Sequence, residues 1–211
     1  MTTLANLAPL VLHKLGLLPL VKKVQFLGDR HRRFLVVPQV FDSQGLRHFS
    51  TLANVQDLVI TGLDLHKFTS GVENYFGHFS PTLRSIALLD PSGPRRRLLD
   101  LLGLFPKLDD IKIVRYGGAL EALESVDTQR AQIRGSLRGK LELDGFWDKK
   151  LLEEIITSFG GMRFVSMDLN NVEGAQLLLD ACAETLQTLC FRPESLFRSG
   201  KRFLGKDSTA H

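Results

Sequence analysis

Phe159-Gly-Gly-Met162-Arg-Phe164-Val-Ser-Met167-Asp-Leu169, with Leu177-Leu-Leu-Asp-Ala-Cys182-Ala-Glu-Thr-Leu186-Gln-Thr-Leu189-Cys-Phe191 following, decides the fold, because it holds one pattern twice. Phe164-Val-Ser-Met167-Asp-Leu169 and Leu186-Gln-Thr-Leu189-Cys-Phe191 both read apolar-x-x-apolar-x-apolar. The last two apolar positions are separated by one residue, the period of a strand with one buried face. Between the two runs, Leu177, Leu178, Leu179 and Cys182 carry helical spacing.

Working outward, the same run recurs at Val21-Lys-Lys-Val24-Gln-Phe26, Val55-Gln-Asp-Leu58-Val-Ile60, Leu83-Arg-Ser-Ile86-Ala-Leu88 and Leu108-Asp-Asp-Ile111-Lys-Ile113. A looser copy is Leu137-Arg-Gly-Lys-Leu141-Glu-Leu143. Strands are therefore expected near Val24, Leu58, Ile86, Ile111, Leu141, Met167 and Leu189, at successive steps of 34, 28, 25, 30, 26 and 22 residues. Most of these steps lie close to the roughly 20–29 residues of a leucine-rich repeat. Helical spacing returns in Phe68, Val72, Tyr75, Phe76 and Phe79, in Leu98, Leu99, Leu101, Leu102 and Phe105, and in Leu151, Leu152, Ile155, Ile156 and Phe159. Ser80-Pro81, Phe105-Pro106 and Gly160-Gly161 are suitable stops for these helices.

Strand, helix and parallel strand in this rhythm predict an α/β fold, a leucine-rich-repeat-like solenoid with a curved parallel sheet and outer helices. A doubly wound α/β domain shares the alternation. The recurring residue types favour the solenoid, and the chain has no glycine-rich strand-to-helix turn of the dinucleotide or phosphate-loop kind. The expected organisation is a capping helix over 1–20, the solenoid over 21–197 and a basic tail over 198–211 that frays. Residues 28–46 and 117–139 interrupt the rhythm, the first as an insertion or extra strand, the second as a polar helix and exposed loop.

Phe79-Ser-Pro-Thr-Leu83-Arg-Ser-Ile86-Ala-Leu88, Leu102-Gly-Leu-Phe-Pro-Lys-Leu108-Asp-Asp-Ile111 and the opening stretch above resemble a large family of leucine-rich-repeat proteins from mushroom-forming fungi. Many members carry an F-box ahead of the repeats. The resemblance runs over roughly residues 50–192 and implies an array that holds a substrate for a ubiquitin ligase, with the F-box docking on a Skp-type adaptor. Here residues 1–20 are too short for an F-box, so a Skp-type adaptor is not expected as a partner.

The chain has 211 residues, 44% hydrophobic and 24% charged, enough to bury a substantial core. Of the net charge of +4, much sits in Arg198, Lys201, Arg202 and Lys206, so the body is nearly neutral and nucleic acid is not the expected partner. The apolar start, Leu4 to Val21, has no positive leader, contains Lys14, Pro9 and Pro19, and fits neither a signal peptide nor a membrane span. Cys182 and Cys190 are too few for a disulfide framework and read as buried thiols of a reducing compartment, the cytoplasm or nucleus.

Catalytic chemistry is not expected. The histidines (His13, His31, His48, His66, His78, His211) lack ligand spacing, and Ser80, Ser85 and Ser166 lack a nucleophile elbow, so no catalytic, metal or cofactor residues are assigned. Asp109-Asp110 and Glu153-Glu154 are adjacent acids whose side chains diverge, as on a solvated face. Asn170-Asn171 reads as a structural repeat asparagine.

The expected function is therefore a protein-interaction module. Residues between the inward strand positions should form a wall, and its middle, Asp110, Lys112, Lys140, Glu142, Asp144 and Asp168, is polar and mixed in sign, suiting an unidentified protein partner. The alternative is an acidic or nucleic-acid partner bound by Arg30, Arg32, Arg33, Arg95, Arg96, Arg97 and the tail, with the triple arginine opening the helix at Leu98. A third possibility is a truncated member of an expanded family with no independent function.

Overall fold

In the computed structural model, residues 16, 18–27, 52–118, 137–147, 149–159, 162–172 and 174–192 are described. Where apolar residues alternate with polar ones, strands form: β1 Lys23–Leu27, β2 Asp57–Thr61, β3 Ser85–Leu89, β5 Asp110–Val114, β7 Lys140–Trp147, β8 Ser166–Val172 and β9 Thr188–Arg192. Two further strands of two residues each are β4 Ser92–Gly93 and β6 Gly117–Gly118. The seven longer strands make one parallel sheet in the order β1-β2-β3-β5-β7-β8-β9, and β4 pairs with β6 in a second small one. Chain order is kept throughout, as the spacing predicts, and the order does not reverse as it would in a doubly wound sheet.

Four helices alternate with the strands: α1 Ser70–Gly77, α2 Arg95–Gly103, α3 Lys149–Phe159 and α4 Ala175–Cys182. Each buries one stripe at helical spacing, for example Val72, Tyr75 and Phe76 on α1, or Leu98, Leu101 and Leu102 on α2. These stripes and the inward strand residues form a single apolar cluster. All four helices therefore lie on one face of the sheet. On the other face the alternate residues of β2, β3 and β5 stay partly exposed. One-sided burial accounts for the clean two-residue alternation, since a sheet covered on both faces is apolar throughout.

Through the two apolar rows the strands stack without stagger, and the register shifts only beyond Asp144, where Trp147 of β7 pairs with Val172 of β8. Leu58, Ile86, Ile111, Leu141, Met167 and Leu189 are register partners in one row, and Ile60, Leu88, Ile113, Leu143, Leu169 and Phe191 in the next. A shared hydrogen bond at every strand entrance of the main sheet except that of β7 holds this register. The Lys22 carbonyl accepts from both Gln56 N–H (2.7 Å) and Asp57 N–H (3.0 Å). In the same way the Gln56 carbonyl accepts from Arg84 and Ser85, that of Arg84 from Asp109 and Asp110, that of Gly139 from Val165 and Ser166, and that of Val165 from Gln187 and Thr188. Two threonines repeat a second device. Thr82, three residues before β3, donates its hydroxyl to the Val55 carbonyl (2.8 Å), and Thr185, three before β9, donates to that of Phe164 (3.2 Å).

At the other end of the strands the chain bends through a left-handed residue. Gly62, Asp90, Arg115 and Gly145 occupy equivalent places after β2, β3, β5 and within β7, with φ of 69°, 53°, 54° and 114°. Each of the first three donates its N–H to the last carbonyl of the next ladder, from Leu89, Val114 and Asp144 respectively. Glycine tolerates this conformation; Asp90 and Arg115 do not without strain. Their side chains compensate by a two-pronged ion pair, Nε–Oδ1 2.6 Å and Nη2–Oδ2 2.7 Å.

Several sequence expectations need correction. Helix α2 starts at Arg95, so the three arginines form its first turn instead of preceding it, and Phe68 closes a short 3₁₀ turn (Leu65–Lys67) before α1. Cys182 is buried but Cys190 is half-exposed, because it falls on the open face of β9. Of residues 1–20 only Gly16 and a 3₁₀ turn at Leu18–Leu20 are described; most of the expected capping helix, 28–46, 119–136, Gly160-Gly161 and the 198–211 tail lie outside the described residues.

Ile111 is 3% exposed in the middle of the first apolar row. Ile111→Asp should abolish the cooperative melting transition, since an unpaired buried carboxylate costs several kcal/mol, roughly a domain's whole stability. Ile111→Ala should remain folded but lose about 2–5 kcal/mol in urea unfolding.

Candidate functional site

The open face carries three transverse rows, set by the same register that orders the core. The middle row reads Gln25, Val59, Ala87, Lys112, Glu142, Asp168 and Cys190 from β1 to β9. Gln25, Val59 and Ala87 in it are uncharged; Lys112, Glu142 and Asp168 are ionic. The flanking rows add Ser85, Ser166 and Thr188 on one side, and Leu89, Val114 and Asp144 on the other. All six expected wall residues, Asp110, Lys112, Lys140, Glu142, Asp144 and Asp168, fall on β5, β7 and β8, which are adjacent. The side chain of Asn170 lies outside the described residues.

Three of these six side chains, Lys112, Lys140 and Glu142, form an ionic cluster. Lys112 Nζ hydrogen-bonds Glu142 Oε1 across β5 and β7, and Lys140 Nζ lies 3.4 Å from Glu142 Oε2 along β7. Glu142 thus sits between two ammonium groups. Partial burial pushes its carboxyl upward, but the hydrogen bonds and charges of Lys112 and Lys140 outweigh this and hold it below the ordinary carboxylate value. Asp168 is the register partner of Glu142 on the next strand, so two acids stand side by side there.

Asp110 has a different task. At the entrance to β7 the shared-carbonyl device changes: the Asp109 carbonyl accepts only from Gly139 N–H (3.1 Å), and Asp110 Oδ1 takes the Lys140 N–H instead (2.6 Å). Gly139 makes room for it. A Cβ at that position would overlap the Asp110 carboxylate and stand 3.1 Å from the Asp109 carbonyl oxygen. Asp109 pairs with Arg84 (3.0 Å). The adjacent acids therefore do structural work at the sheet edge of the wall, which the reading as a solvated face does not anticipate.

Sequence reasoning missed Arg115 and Asp90, whose pair borders the wall next to Asp144. Asp144 raises the Arg115 pKa further, after the larger contributions from the Asp90 hydrogen bond and charge. The available signal was positional: Gly62 and Gly145 follow the same inward positions of β2 and β7, a spacing that puts Asp90 and Arg115 at the equivalent bends.

The alternative arginine cluster is partly committed. Arg97 pairs with Glu73 of α1 (3.3 Å) and with Asp100 one turn on (3.5 Å); Arg30, Arg32 and Arg33 lie outside the described residues. Among the described residues no group of three or more His, Cys, Asp or Glu could hold a metal ion, and no helix is long and apolar enough to cross a membrane. A core cavity of about 10 Å³, lined by apolar residues such as Leu102, Ile113, Leu143, Phe164 and Leu178, has no polar wall. Burial raises the Cys182 thiol, only partly offset by a hydrogen bond to the Phe164 backbone, which disfavours thiolate chemistry there. No protein-family model, curated protein or solved structure matches this chain.

Because its folded-state pKa is lowered, Glu142 contributes stability above the ordinary carboxylate value, and that contribution fades as pH falls through the lowered value. Urea unfolding between neutral pH and about pH 3 should show the parent losing an increment that Glu142→Gln lacks, the two curves converging in acid. Parallel curves would mean that the pair with Lys112 is not formed. Asp110→Ala should cost about 1–2 kcal/mol, because it strands the Lys140 N–H, and Gly139→Ala should cost at least as much.

Proposed function

We propose that this chain is a non-catalytic protein-interaction module, a leucine-rich-repeat-like solenoid related to the fungal family it resembles, and that a protein partner docks on the open face across β5, β7 and β8. One observation carries this reading. The register gathers Asp110, Lys112, Lys140, Glu142, Asp144 and Asp168 onto three adjacent strands, on a face that no described helix covers. Strands present such a face rigidly, so little ordering entropy is lost when a partner binds.

Composition supports a protein over a nucleic acid. The six residues comprise two lysines and four acids, an excess of two negative charges that opposes a phosphate backbone. The complementary surface is a polypeptide presenting basic side chains towards Asp144 and Asp168 and an acid towards Lys112. The small uncharged stretch of Val59 and Ala87 beside the ionic half gives room for closer approach. Binding by the first turn of α2 is the weaker reading, since Arg97 is already held by Glu73 and Asp100. Within the resembling family, such a face would receive a substrate.

Reversing the charge at Lys112 alone would set two acids against each other, so the informative variant swaps the pair. Lys112→Glu with Glu142→Lys keeps an ion pair across β5 and β7 and inverts its polarity. Its melting temperature should stay close to the parent's, because exposed pairs contribute little. A partner isolated on the full chain should lose most of its affinity for the swapped variant, with a salt dependence weaker than that of phosphate contacts. Equal affinity for parent and swap, with the fold intact, would remove the wall as the binding site.

A further inference from the structure

The two ends of the sheet are not alike. At the β1 end the inward residues are sealed: Val24 and Phe26 are 9% and 6% exposed, and Phe26 meets Tyr75 and Phe76 of α1 edge-on at 6.2 and 6.0 Å. At the β9 end the equivalent residues are open. Leu189 is 46% exposed and Phe191 50%, whereas their row partners Met167 and Leu169 on β8 are fully buried. Strand β9 also ends the sheet, so one side of its backbone pairs with no described strand. An edge that offers unpaired N–H and C=O groups together with exposed apolar side chains is completed by another strand, which supplies both.

The edge is complementary to itself. A twofold axis through Cys190, perpendicular to the sheet, lays β9 antiparallel to its copy. Leu189 of one molecule then stands opposite Phe191 of the other, twice, and Thr188 opposite Arg192. Opposite residues of antiparallel strands point to the same face, so the four apolar side chains meet on the helix side and close both open core rows at once. Within β9 no two charged residues stand opposite each other, since Arg192 is its only charged residue and faces Thr188. By contrast, a head-to-tail contact would set the Leu189–Phe191 edge against β1, whose inward residues are already covered, and would not close.

We propose that two copies of this chain associate through their β9 strands into a continuous antiparallel-joined sheet, with the twofold axis at Cys190. The two Cys190 thiols then face each other on the open side, at the separation typical of directly opposed residues, about 4.5–5.5 Å between Cα atoms. That distance lies within the range a disulfide spans. The association itself needs no oxidation.

Sedimentation of the full chain over a wide range of concentration should give a dimer that dissociates on dilution. Leu189→Lys with Phe191→Lys should be monomeric at all concentrations and melt close to where the dilute, dissociated parent melts, as both side chains are half-exposed in one copy, while Leu27→Lys at the β1 edge should leave the dimer intact. Diamide treatment should cross-link the parent into a covalent dimer on a non-reducing gel, and Cys190→Ser should abolish the cross-link while keeping the sedimenting dimer. A parent that stays monomeric overturns the proposal. So does a dimer that survives the double lysine variant, a species growing beyond a dimer, or a dimer that diamide does not link through Cys190.

Discussion

The carbonyl that five of the six strand entrances offer to two N–H groups of the next strand is the constraint on which the remaining structure depends. It allows only one register between neighbours, and because it recurs, stagger never accumulates. A slip of one residue would turn the whole apolar set of a strand onto the open face. Zero stagger puts the core residues in straight rows and, by the same geometry, puts the wall residues in straight rows behind them. Packing and surface chemistry are thus two outcomes of one backbone arrangement.

The variation at β7 shows how a surface group can enter that arrangement. There a carboxylate, Asp110, replaces the second half of the carbonyl's task, and Gly139 has given up its side chain to admit it. The wall and the scaffold are consequently not separable at this point. Lys140, whose N–H is held by Asp110, is also the residue whose ammonium group reaches Glu142, so the orientation of the ionic network follows from a backbone hydrogen bond one strand away.

Much of this was legible in the sequence, for a definite reason. A sheet with one dry face writes an alternating pattern, and the seven strands with their order follow from that pattern and from the short helical stretches between them. The wall residues were legible for the same reason, as the complement of the core positions. What the pattern does not carry is which wall residues touch. The Lys112–Glu142 pair depends on register between strands 30 residues apart, and the Asp90–Arg115 pair depends on a left-handed bend at residues that are not glycine. The apolar spacing of α2 begins only at Leu98, whereas the helix starts at Arg95, where Arg97 is held by Glu73 from another helix. Cys190 is only partly buried because alternation along β9 places it on the opposite side of the sheet from the apolar rows.

The chain-order ladder also has a mechanical side. Every strand of the main sheet hydrogen-bonds only to its neighbours in the chain, and no described strand bridges two gaps. A tension drawn across the sheet from β1 to β9 is therefore carried by six joints in series, each bearing the full load. The joint of lowest strength sets the limit for the whole, and the others relax when it opens. Stiffness in such a body is a property of its weakest seam, and a molecule pulled this way would lengthen by discrete steps, one strand at a time, with the remaining strands still folded.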